Sequence, residues 1–581
     1  MSTSGEQHEG AVVVDGVATG ADGRHTASTP PVSVERVVVR RGAFHDPVIL
    51  MQASEAARSL PGVEHVAVGM VEPLNMVIIT QRFGYEVAAD GLGPNDLVIA
   101  LRADAEETAD EALDVIDRHL AARVGEREVV DVGAYVLGGD RDGSPVERVR
   151  WQVAEPGTYR TLLERVAPRA EAIARANDEA LARMQAAQPL VVGVATARDV
   201  LPGMTDRTIL HAGPPIEWAD MSGPLRGAII GAALLEGLAD DPEDAIRRAE
   251  AGEFEFAPGH ERGALGPMVG VISASMPLWV IENADRGNRA HCNFSEGYGR
   301  VLRFGAYNPE VVEQLRWMGE VAAPVIAAAL DRLPAPLDLR AINADAVQMG
   351  DEVHNRNRAA TSQVFRALAP VLMQLDAPLD DLLAVARYIA GNDYFYLNLS
   401  MAAGKATAEA ASGIPDSTIV TTMARNGTDF GLRVSGTGER WFTAPSGEVR
   451  ALFRPGYDRD AASRDVGDST ITETTGLGGF AMAGAPAIGH FAGISAEDAV
   501  RATLAMYDIT WAESVNYRIP ALGYRGTPLG IDCRKVLETG IPPVVNTGVA
   551  HREPGVGVIG GGIVRLPLEP FAAALEAVAG P

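Results

Sequence analysis

The stretch MGDEVHNRNR, residues 349–358, holds the densest group of side chains that could bind an anion or move a proton. His354 could polarise a carbonyl group or carry a proton. Asn355 could bind an amide, and Arg356 and Arg358 could hold a carboxylate or phosphate through paired hydrogen bonds. The stretch contains no lysine, which lacks that planar fork. Its composition therefore favours a polar site.

A helical conformation would place Asp351, Arg358 and Thr361 on one face with His354 or Asn355. Stretches this polar are usually solvated surface, which is the competing interpretation. Apolar residues at helical spacing follow soon afterwards, so the stretch would adjoin a packed helix. We interpret it as a site.

A second motif combines HAGPPIEW, which contains His211 and Glu217, with MSGPLRG, which contains Arg226. Pro224 is typical of the first position of a helix, and the free N–H groups at such a start favour an anion. Arg226 would lie in the first turn. Taken alone, the pattern is more typical of an ordinary capped helix whose glycines allow close packing.

A third motif, MARNGTDFGLR, spans residues 423–433. Its Asn-Gly pair marks a tight turn. Arg425 could hold an anion there, Asn426 could bind an amide, and Thr428 and Arg433 could add further donors. A plain hairpin is the simpler alternative, since Asn-Gly turns are common.

A fourth motif, GDSTITETTGLGGFA, spans residues 467–481. Gly476, Gly478 and Gly479 could supply backbone N–H donors to an oxyanion. A flexible surface loop is an equally good interpretation. The motif also matches the pattern GxGxxA, but no apolar strand precedes it, so a dinucleotide site is not favoured.

Metal-ligating patterns are weak in this sequence. His260, His291, His354 and His551 lie in polar stretches, but neither an HExxH motif nor paired cysteines occur. We expect no metal and no other cofactor. Cys292 follows His291, but neighbours in a strand point to opposite faces, so a buried thiol is favoured over a nucleophile.

The chain has 581 residues, a net charge of −27 and two cysteines. Its length predicts roughly two to four domains. The negative charge argues against binding to nucleic acid or to an anionic membrane surface. The cysteine count, the absence of a secretory signal and the absence of a long apolar run predict a cytoplasmic protein without membrane spans.

The N-terminal region divides into a tail and a small domain. Residues 1–32, rich in Gly, Ser and Thr, are predicted to be a disordered tail. Residues 33–125 are predicted to form an α/β domain. Its predicted strands cover residues 34–39, 63–69 and 96–101, and its predicted helices cover 46–59 and 105–121.

Residues 126–188 are predicted to be a linker, with a Gly-rich loop at 138–143 and a helical connector at 158–187 interrupted at Pro168. The main body, residues 189–581, mixes helices and strands in a large multi-lobed α+β arrangement. We therefore assign the chain to the α/β class of mixed α+β type. Predicted elements of the body are helices at 223–238, 310–330 and 358–375, and a β-meander from 418 to 453.

Seven motifs in order carry a family resemblance: HAGPPIEW, MSGPLRGAIIGA, GNRAHCNFSEG, GDEVHNRNRAAT, IAGNDYFYLNL, MARNGTDFG and ITETTGLGGFAMA. Together they resemble the YlbE-like (AllG-type) family from about residue 189 to 561. Residues 37–120, with RRGAFHDPVILMQASEAARSLPGVEHVAVGM, resemble the N-terminal region of FdrA-type proteins. The chain therefore looks like an FdrA-like region fused to a YlbE-like body.

The resemblance implies a subunit of oxamate carbamoyltransferase in allantoin-type nitrogen catabolism, which exchanges oxalurate plus phosphate for oxamate plus carbamoyl phosphate. It implies small anionic substrates, and either a homo-oligomer or a complex with FdrA-like and kinase-like subunits. Carbamoyl transfer passes through a tetrahedral oxyanion that preorganised donors stabilise without a metal. His354, Asn355 and Arg358 are then the candidate catalytic residues.

Two other functions stay open. The chain could be a non-catalytic scaffold or regulatory subunit that binds a small anion and completes a partner's site. It could also be an amidohydrolase that acts on a ureide without phosphate. For the transferase, we expect at least two of Arg356, Arg358, Arg425 and Arg433 to converge with His354 on one anion pocket.

Overall fold

The computed structural model describes residues 12–13, 33–43, 45, 47–71, 76, 79–80, 85–87, 92–93, 96–121, 151–454 and 456–580. The chain divides into two compact units, residues 1–130 and 131–581. Of the predicted tail, only Val12–Val13 is described. The predicted Gly-rich loop at 138–143 lies outside the described residues.

The N-terminal unit contains an antiparallel sheet in the strand order β1-β2-β4-β3. Its elements are β1 (Val12–Val13), β2 (Val34–Arg40), α1 (Pro47–Arg58), β3 (Val63–Met70), β4 (Leu97–Ala103) and α2 (Glu106–Ala121). Alternate residues of β4, such as Leu97 and Ile99, join the apolar core that includes residues of both helices. The five elements predicted from periodicity are all present, with ends shifted by a few residues.

The 131–581 unit is built from short elements. Its strands are β5 (Pro189–Thr196), β6 (Thr208–His211), β7 (Glu255–Pro258), β8 (Ala264–Leu265), β9 (Pro277–Asn283), β10 (Arg289–Asn293), β11 (Leu337–Asp338), β12 (Val420–Asn426), β13 (Asp429–Val434), β14 (Phe442–Pro445), β15 (Arg450–Phe453), β16 (Val466–Gly467), β17 (Thr510–Ile519), β18 (Arg525–Ile531), β19 (Val544–Ala550) and β20 (Val558–Arg565). Its α-helices are α3 (Arg160–Val166), α4 (Ala170–Ala186), α5 (Ala197–Val200), α6 (Gly223–Leu235), α7 (Pro242–Glu250), α8 (Pro309–Trp317), α9 (Ala323–Leu330), α10 (Leu339–Gln348), α11 (Arg358–Leu372), α12 (Leu379–Ala390), α13 (Leu397–Glu409), α14 (Ile471–Thr474), α15 (Gly489–Ala492), α16 (Ala496–Met506), α17 (Cys533–Thr539) and α18 (Glu569–Ala579). Within the described ranges, no helix is both long enough and apolar enough to cross a membrane.

Five sheets organise this unit. One has the order β11-β5-β9-β10-β8, a second β14-β13-β12-β16 and a third β15-β20-β19, while β17-β18 and the parallel pair β6-β7 stand alone. The resulting mixed α+β architecture confirms the predicted fold class.

Helix α13 is enclosed on all sides, with every residue from Leu397 to Ala408 buried. Its sequence LNLSMAAGKATAE is rich in small residues, which lets neighbouring backbones approach closely. At Gly404, a Cβ atom would lie 3.1 Å from the Ile471 carbonyl oxygen. The helix therefore packs between α14 and the five-stranded sheet, and the candidate site lies beside it.

The predicted helices are confirmed, with one internal change. The connector is interrupted by a turn at Ala167–Arg169, as Pro168 predicted. The helix expected at 310–330 contains a π-helical turn at Met318–Ala322. Pro324 follows directly and has no N–H to continue the α-helical ladder, which accounts for the change.

The predicted β-meander is only partly present. Strands β12, β13 and β14 form consecutive antiparallel pairs, with Asn426–Gly427 between the first two. Strand β15 instead pairs with β20, which is about a hundred residues further along the chain. A local pattern specifies a strand, but it does not specify a partner that distant.

Residues 33–125 expressed alone should unfold in one cooperative transition, because their strands and helices enclose an apolar core of their own. Thermal unfolding followed by circular dichroism tests this expectation. A broad, gradual melt would show that this region needs the rest of the chain to fold.

Candidate active site

Residues 351–357 form a buried loop between α10 and α11, so the helical conformation considered for this stretch is absent. The carboxylate of Glu352 accepts hydrogen bonds from the backbone N–H groups of residues 354–356, at 3.1, 2.5 and 2.6 Å. Val353 has a φ of 65°, a left-handed conformation that interrupts any helix. A side chain therefore satisfies the N–H groups and stabilises the loop in place of a helical turn.

His354 and Glu473 form a buried pair in which Nδ1 of the histidine lies 2.9 Å from Oε1 of the glutamate. The same Oε1 accepts a hydrogen bond from the Gly479 N–H at 3.0 Å. A carboxylate that holds Nδ1 fixes the orientation of the ring and leaves Nε2 as the atom for proton transfer. The pair therefore has the geometry of a histidine positioned for acid–base chemistry.

The glycine turn of the fourth motif packs directly against this pair. A Cβ atom at Gly478 would lie 2.2 Å from Oε1 of Glu473, so only glycine fits. The Gly478 N–H donates to the backbone carbonyl oxygen of Glu352 at 2.8 Å. The Gly476 N–H donates to the backbone carbonyl oxygen of Glu473 at 3.2 Å. The N–H groups of Gly476, Gly478 and Gly479 are thus used within the protein and are not open to an oxyanion, contrary to expectation.

Burial raises the pKa of Glu352 to about 7. His354 acts against this shift, and the negative charge of Glu473 adds to it. A carboxyl group with this pKa changes its protonation state near neutral pH. Because it also holds the loop of His354, the loop's hydrogen bonding depends on pH.

Arg303 and Glu296 form a second buried polar pair. The backbone N–H of Arg303 donates to Oε1 of Glu296 at 3.1 Å. The Arg303 guanidinium lies 5.0 Å from the ring centroid of Phe304 and 5.4 Å from that of Tyr394. Among the described residues, its Nε and Nη1 atoms have no hydrogen-bond partner, and neither does Oε2 of Glu296. Buried polar groups without partners are costly, which makes this pair a candidate for contact with a ligand.

The two pairs adjoin each other through Tyr394. Burial raises the pKa of its phenol, the charge of Glu352 adds to that shift, and the charge of Arg303, whose guanidinium lies 5.4 Å from the ring centroid, opposes it. Asn546, on β19, accepts a hydrogen bond from the Asn355 side chain at 2.8 Å through its carbonyl oxygen. Its own side-chain amide is buried beside Glu352, whose pKa it lowers. We define the central cluster as Glu296, Arg303, Glu352, His354, Tyr394, Glu473 and Asn546.

Arg425 is fully buried and makes five hydrogen bonds, two of them to the Asp465 carboxylate at 2.6 and 2.9 Å. The other three bind Gly467, Thr470 and Thr547. A guanidinium has five N–H donors, so none remains for a substrate. Arg425 therefore joins three chain segments rather than binding an anion.

The other three arginines have separate partners. The Arg356 side chain donates to the Gly350 carbonyl oxygen at 3.0 Å. Arg358 pairs with Asp393 at 2.7 Å on an exposed surface. Arg433 lies 4.4 Å from the ring centroid of Trp441. The predicted convergence of arginines on one pocket with His354 is therefore absent, because protein groups engage each guanidinium in a different place.

The remaining predicted residues stabilise the turns that carry them. Arg226 donates to the carbonyl oxygens of residues 218 and 219 at 3.2 and 2.6 Å. Asn426 donates to the Pro214 carbonyl oxygen at 3.1 Å. Thr428 donates to that of Asp220 at 2.7 Å. The second and third motifs thus bind each other, through structural hydrogen bonds.

His211 and Glu217 do not meet. His211 is buried, its Nδ1 donates to the Ala212 carbonyl oxygen at 2.8 Å, and burial lowers the pKa of His211. Glu217 is exposed. A neutral, internally bonded histidine of this kind is more suited to packing than to proton transfer at the central cluster.

A separate buried chain of polar groups runs through Lys405, on α13. Its Nζ lies 3.3 Å from Nδ1 of His260 and forms an ion pair with Glu409. Nε2 of His260 faces Oδ1 of Asp468 at 3.4 Å. Burial lowers the pKa of His260, and Asp468 acts against that shift. The pattern AAGKATAE contained this signal, a single lysine among small residues, but sequence reasoning did not select it.

Sequence reasoning also missed Arg303, Glu296, Glu352 and Glu473. Glu352 and Glu473 lie inside motifs that were selected for their other residues, and Glu296 lies in GNRAHCNFSEG. Arg303 stands in the mostly apolar stretch VLRFGA. A single charge among apolar residues is the signal that could have indicated a buried functional arginine.

The chain has a mixed α+β fold that encloses a polar cluster. Comparisons with known proteins identify the family to which the chain belongs. Residues 254–469 match the family described as "Oxamate carbamoyltransferase subunit AllG". The chain is 45% identical over 409 residues to the "Oxamate carbamoyltransferase subunit AllG" of Escherichia coli (strain K12), covering 70% of this chain and 98% of that protein. The chain therefore belongs to the AllG family, which confirms the resemblance of the main body.

Two further relatives carry no assigned activity in their names. The "Uncharacterized protein YahG" of Escherichia coli (strain K12) is 43% identical over 453 residues, covering 77% of this chain and 96% of that protein. The "Crystal structure of a conserved protein of unknown function from Enterococcus faecalis V583" matches with a TM-score of 0.69 and 45% identity, covering 70% of this chain and 98% of that one.

Residues 33–131 match the family described as "AllF, heavy metal-associated domain". Heavy-metal ions favour thiolate ligands, but both cysteines of the chain, Cys292 and Cys533, lie outside this region and are buried. Among the residues that the structure describes, no group of three or more His, Cys, Asp or Glu side chains could hold a metal ion. The residues of this region therefore do not fit a thiolate metal site.

Replacing Arg425 by methionine should lower the free energy of unfolding by about 3–5 kcal/mol, because Asp465 would stay buried without its cation. Urea unfolding measures the change. The matched control is Arg175→Met on the exposed surface of α4, with an expected change within roughly 0.5 kcal/mol. Equal, small changes in both variants would contradict the structural role of Arg425.

Glu352 should make the unfolding free energy depend on pH. Its folded pKa of about 7 lies above the ordinary value of 4.5, so the folded state binds more protons between those values. Stability from this group is therefore fully present below about pH 4.5 and is lost as pH rises to 7. At roughly 1.4 kcal/mol per pH unit, the total loss is about 3 kcal/mol.

The measurement compares the native protein with Glu352→Gln by urea unfolding between pH 5 and 8. The native protein should lose stability relative to the variant as pH rises. Glu320→Gln, at an exposed position, is the control and should show no such trend. A difference between the native protein and Glu352→Gln that stays constant with pH would refute the assignment.

Proposed function

We propose that this chain is a carbamoyltransferase subunit that exchanges oxalurate plus phosphate for oxamate plus carbamoyl phosphate at the central cluster. The 45% identity to an oxamate carbamoyltransferase subunit of Escherichia coli supports this reaction. The observation that carries the assignment to the central cluster is Arg303, a buried cation whose Nε and Nη1 atoms find no hydrogen-bond partner among the described residues.

Arg303 binds the substrate carboxylate in this proposal. Oxalurate and oxamate share a planar oxalyl end that a guanidinium can bind by paired hydrogen bonds. The guanidinium already contacts Phe304 and Tyr394, which shield it from water and strengthen an ion pair. Asn546, whose amide faces Glu352, binds the amide of the substrate in this proposal.

His354 carries the proton of the transfer. A phosphate oxygen forms a bond to the carbamoyl carbon of oxalurate, and the bond from that carbon to the oxamate nitrogen breaks. The proton of the attacking phosphate moves through Nε2 of His354 to the departing nitrogen. Glu473 holds Nδ1 and stabilises the imidazolium that forms between the two steps.

The name of the relative describes a subunit, and the N-terminal match is to a domain of AllF. We therefore propose that the active form is an oligomer, formed with further copies of this chain or with FdrA-like and kinase-like subunits. A non-catalytic role predicts that the purified chain binds oxamate but transfers nothing until its partner is added.

Replacing Arg303 by lysine should lower kcat/KM for oxalurate roughly 30- to 1,000-fold, because the charge remains but the paired hydrogen bonds are lost. His354→Asn should lower kcat by roughly 100-fold or more. The assay follows phosphate-dependent formation of oxamate, with and without the FdrA-like partner. Arg175→Lys, on the exposed face of α4, is the control for arginine replacement.

Three outcomes separate the alternatives. Full activity of both central variants would place the reaction elsewhere in the complex. Breakdown of oxalurate without phosphate, releasing ammonia or carbon dioxide, would instead identify an amidohydrolase. Oxamate binding that weakens in Arg303→Lys, with turnover that appears only after the partner is added and survives His354→Asn, would identify the anion-binding scaffold.

A further inference from the structure

A cavity of about 360 Å³ lies within the 131–581 unit, and no residue of the central cluster lines it. Its walls include Trp151, Arg450, Leu452, Ile494 and Arg565. Cavities of this size hold small organic ligands. Oxamate and carbamoyl phosphate are too small to fill it, so the cavity calls for a different occupant.

Strand pairing explains why charged and apolar groups meet there. Arg450 of β15 pairs with Ile563 of β20, and Leu452 pairs with Gly561. Paired residues of antiparallel strands point to the same face, and residues two apart on one strand share that face. Arg450, Leu452, Ile563 and Arg565 therefore lie on one face, where two arginines adjoin two apolar side chains.

The charge of the cavity favours an anion. The Arg450 side chain forms no ion pair or hydrogen bond with other described residues, although the chain as a whole carries a net charge of −27. Glu448 is the acidic residue of the lining, and it forms an ion pair with Arg459. The Arg565 guanidinium lies 5.5 Å from the ring centroid of Trp151. That indole is 5% exposed, and its Nε1 has no hydrogen-bond partner.

We propose that this cavity is a second binding site, for an organic anion that joins a carboxylate, phosphate or sulfonate group to an apolar body. Arg450 binds the anionic group, and Leu452, Ile494 and Ile563 contact the apolar body. The ligand is neither substrate nor product of the proposed transfer, whose molecules have no apolar body. The site therefore stands independently of that reaction.

The site lies near the central cluster without joining it. Ile563 pairs with Arg450 on one side and with Asn546 on the other, so the three form a row across the sheet. The two ends of that row, Arg450 and Asn546, are two strand spacings apart, a distance of roughly 10 Å. A ligand in the cavity would thus occupy the same sheet face as Asn546, two strands away.

The test uses the full chain and the probe 8-anilinonaphthalene-1-sulfonate, which joins a sulfonate to apolar rings. Fluorescence titration and calorimetry should show saturable binding at one site per chain. Arg450→Met should weaken it roughly 10-fold or more, because a charge-assisted contact is lost. Arg175→Met, an exposed arginine of α4, should leave the affinity unchanged.

Leu452→Asp provides a second variant at a position that is 45% exposed and so tolerates a polar group. It places a negative charge beside the ligand and should abolish binding of the probe. Oxamate with phosphate should not displace the probe, whatever their effect at the central cluster. The proposal would be overturned by unsaturable binding of the probe or by displacement of the probe with oxamate and phosphate. It would also be overturned if both cavity variants bound the probe as tightly as the native protein.

Discussion

The candidate site depends on one buried carboxylate, that of Glu473. It orients the imidazole of His354 and holds the backbone N–H of Gly479 through the same oxygen atom. Two chain segments, about 120 residues apart in sequence, are therefore joined by one charged group in a dry environment. Gly478 packs so closely on this carboxylate that a larger residue would separate the segments. The geometry of the candidate site and the packing of this region thus have a common origin.

Two buried arginines show how differently the same side chain can be used. Arg425 finds a protein partner for each of its N–H donors, so its charge is compensated and it contributes to stability. Arg303 is equally enclosed, but two of its nitrogen atoms have no partner. Folding does not compensate this cation, which is the condition that a substrate anion can relieve. The difference follows from the acceptors nearby, because the two side chains are chemically identical.

Sequence reasoning selected two of the segments that meet at the candidate site, but it expected other contacts from some of their residues. The stretch around His354 and the glycine turn after Glu473 were both selected, and the structure brings them together. The arginines were expected to converge because their chemistry suits anions, yet nearby carboxylates and carbonyl groups engage them separately. Glutamates were overlooked because a carboxylate in a polar stretch is usually solvated. Burial, which changes the pKa and partners of Glu352, depends on contacts far along the chain.

The sequence by itself determined the elements whose signals are local: the amphipathic helices, the strands of the N-terminal unit, the Asn-Gly turn and the interruption at Pro168. Its long motifs also determined the family. Tertiary structure decided that residues 351–357 form a loop, that β15 pairs with β20, and that Arg303 is buried without full compensation. The physical reason is that periodicity and turn propensity act over a few neighbouring residues. Burial, charge compensation and strand pairing are set by groups hundreds of residues apart that meet only in the folded chain.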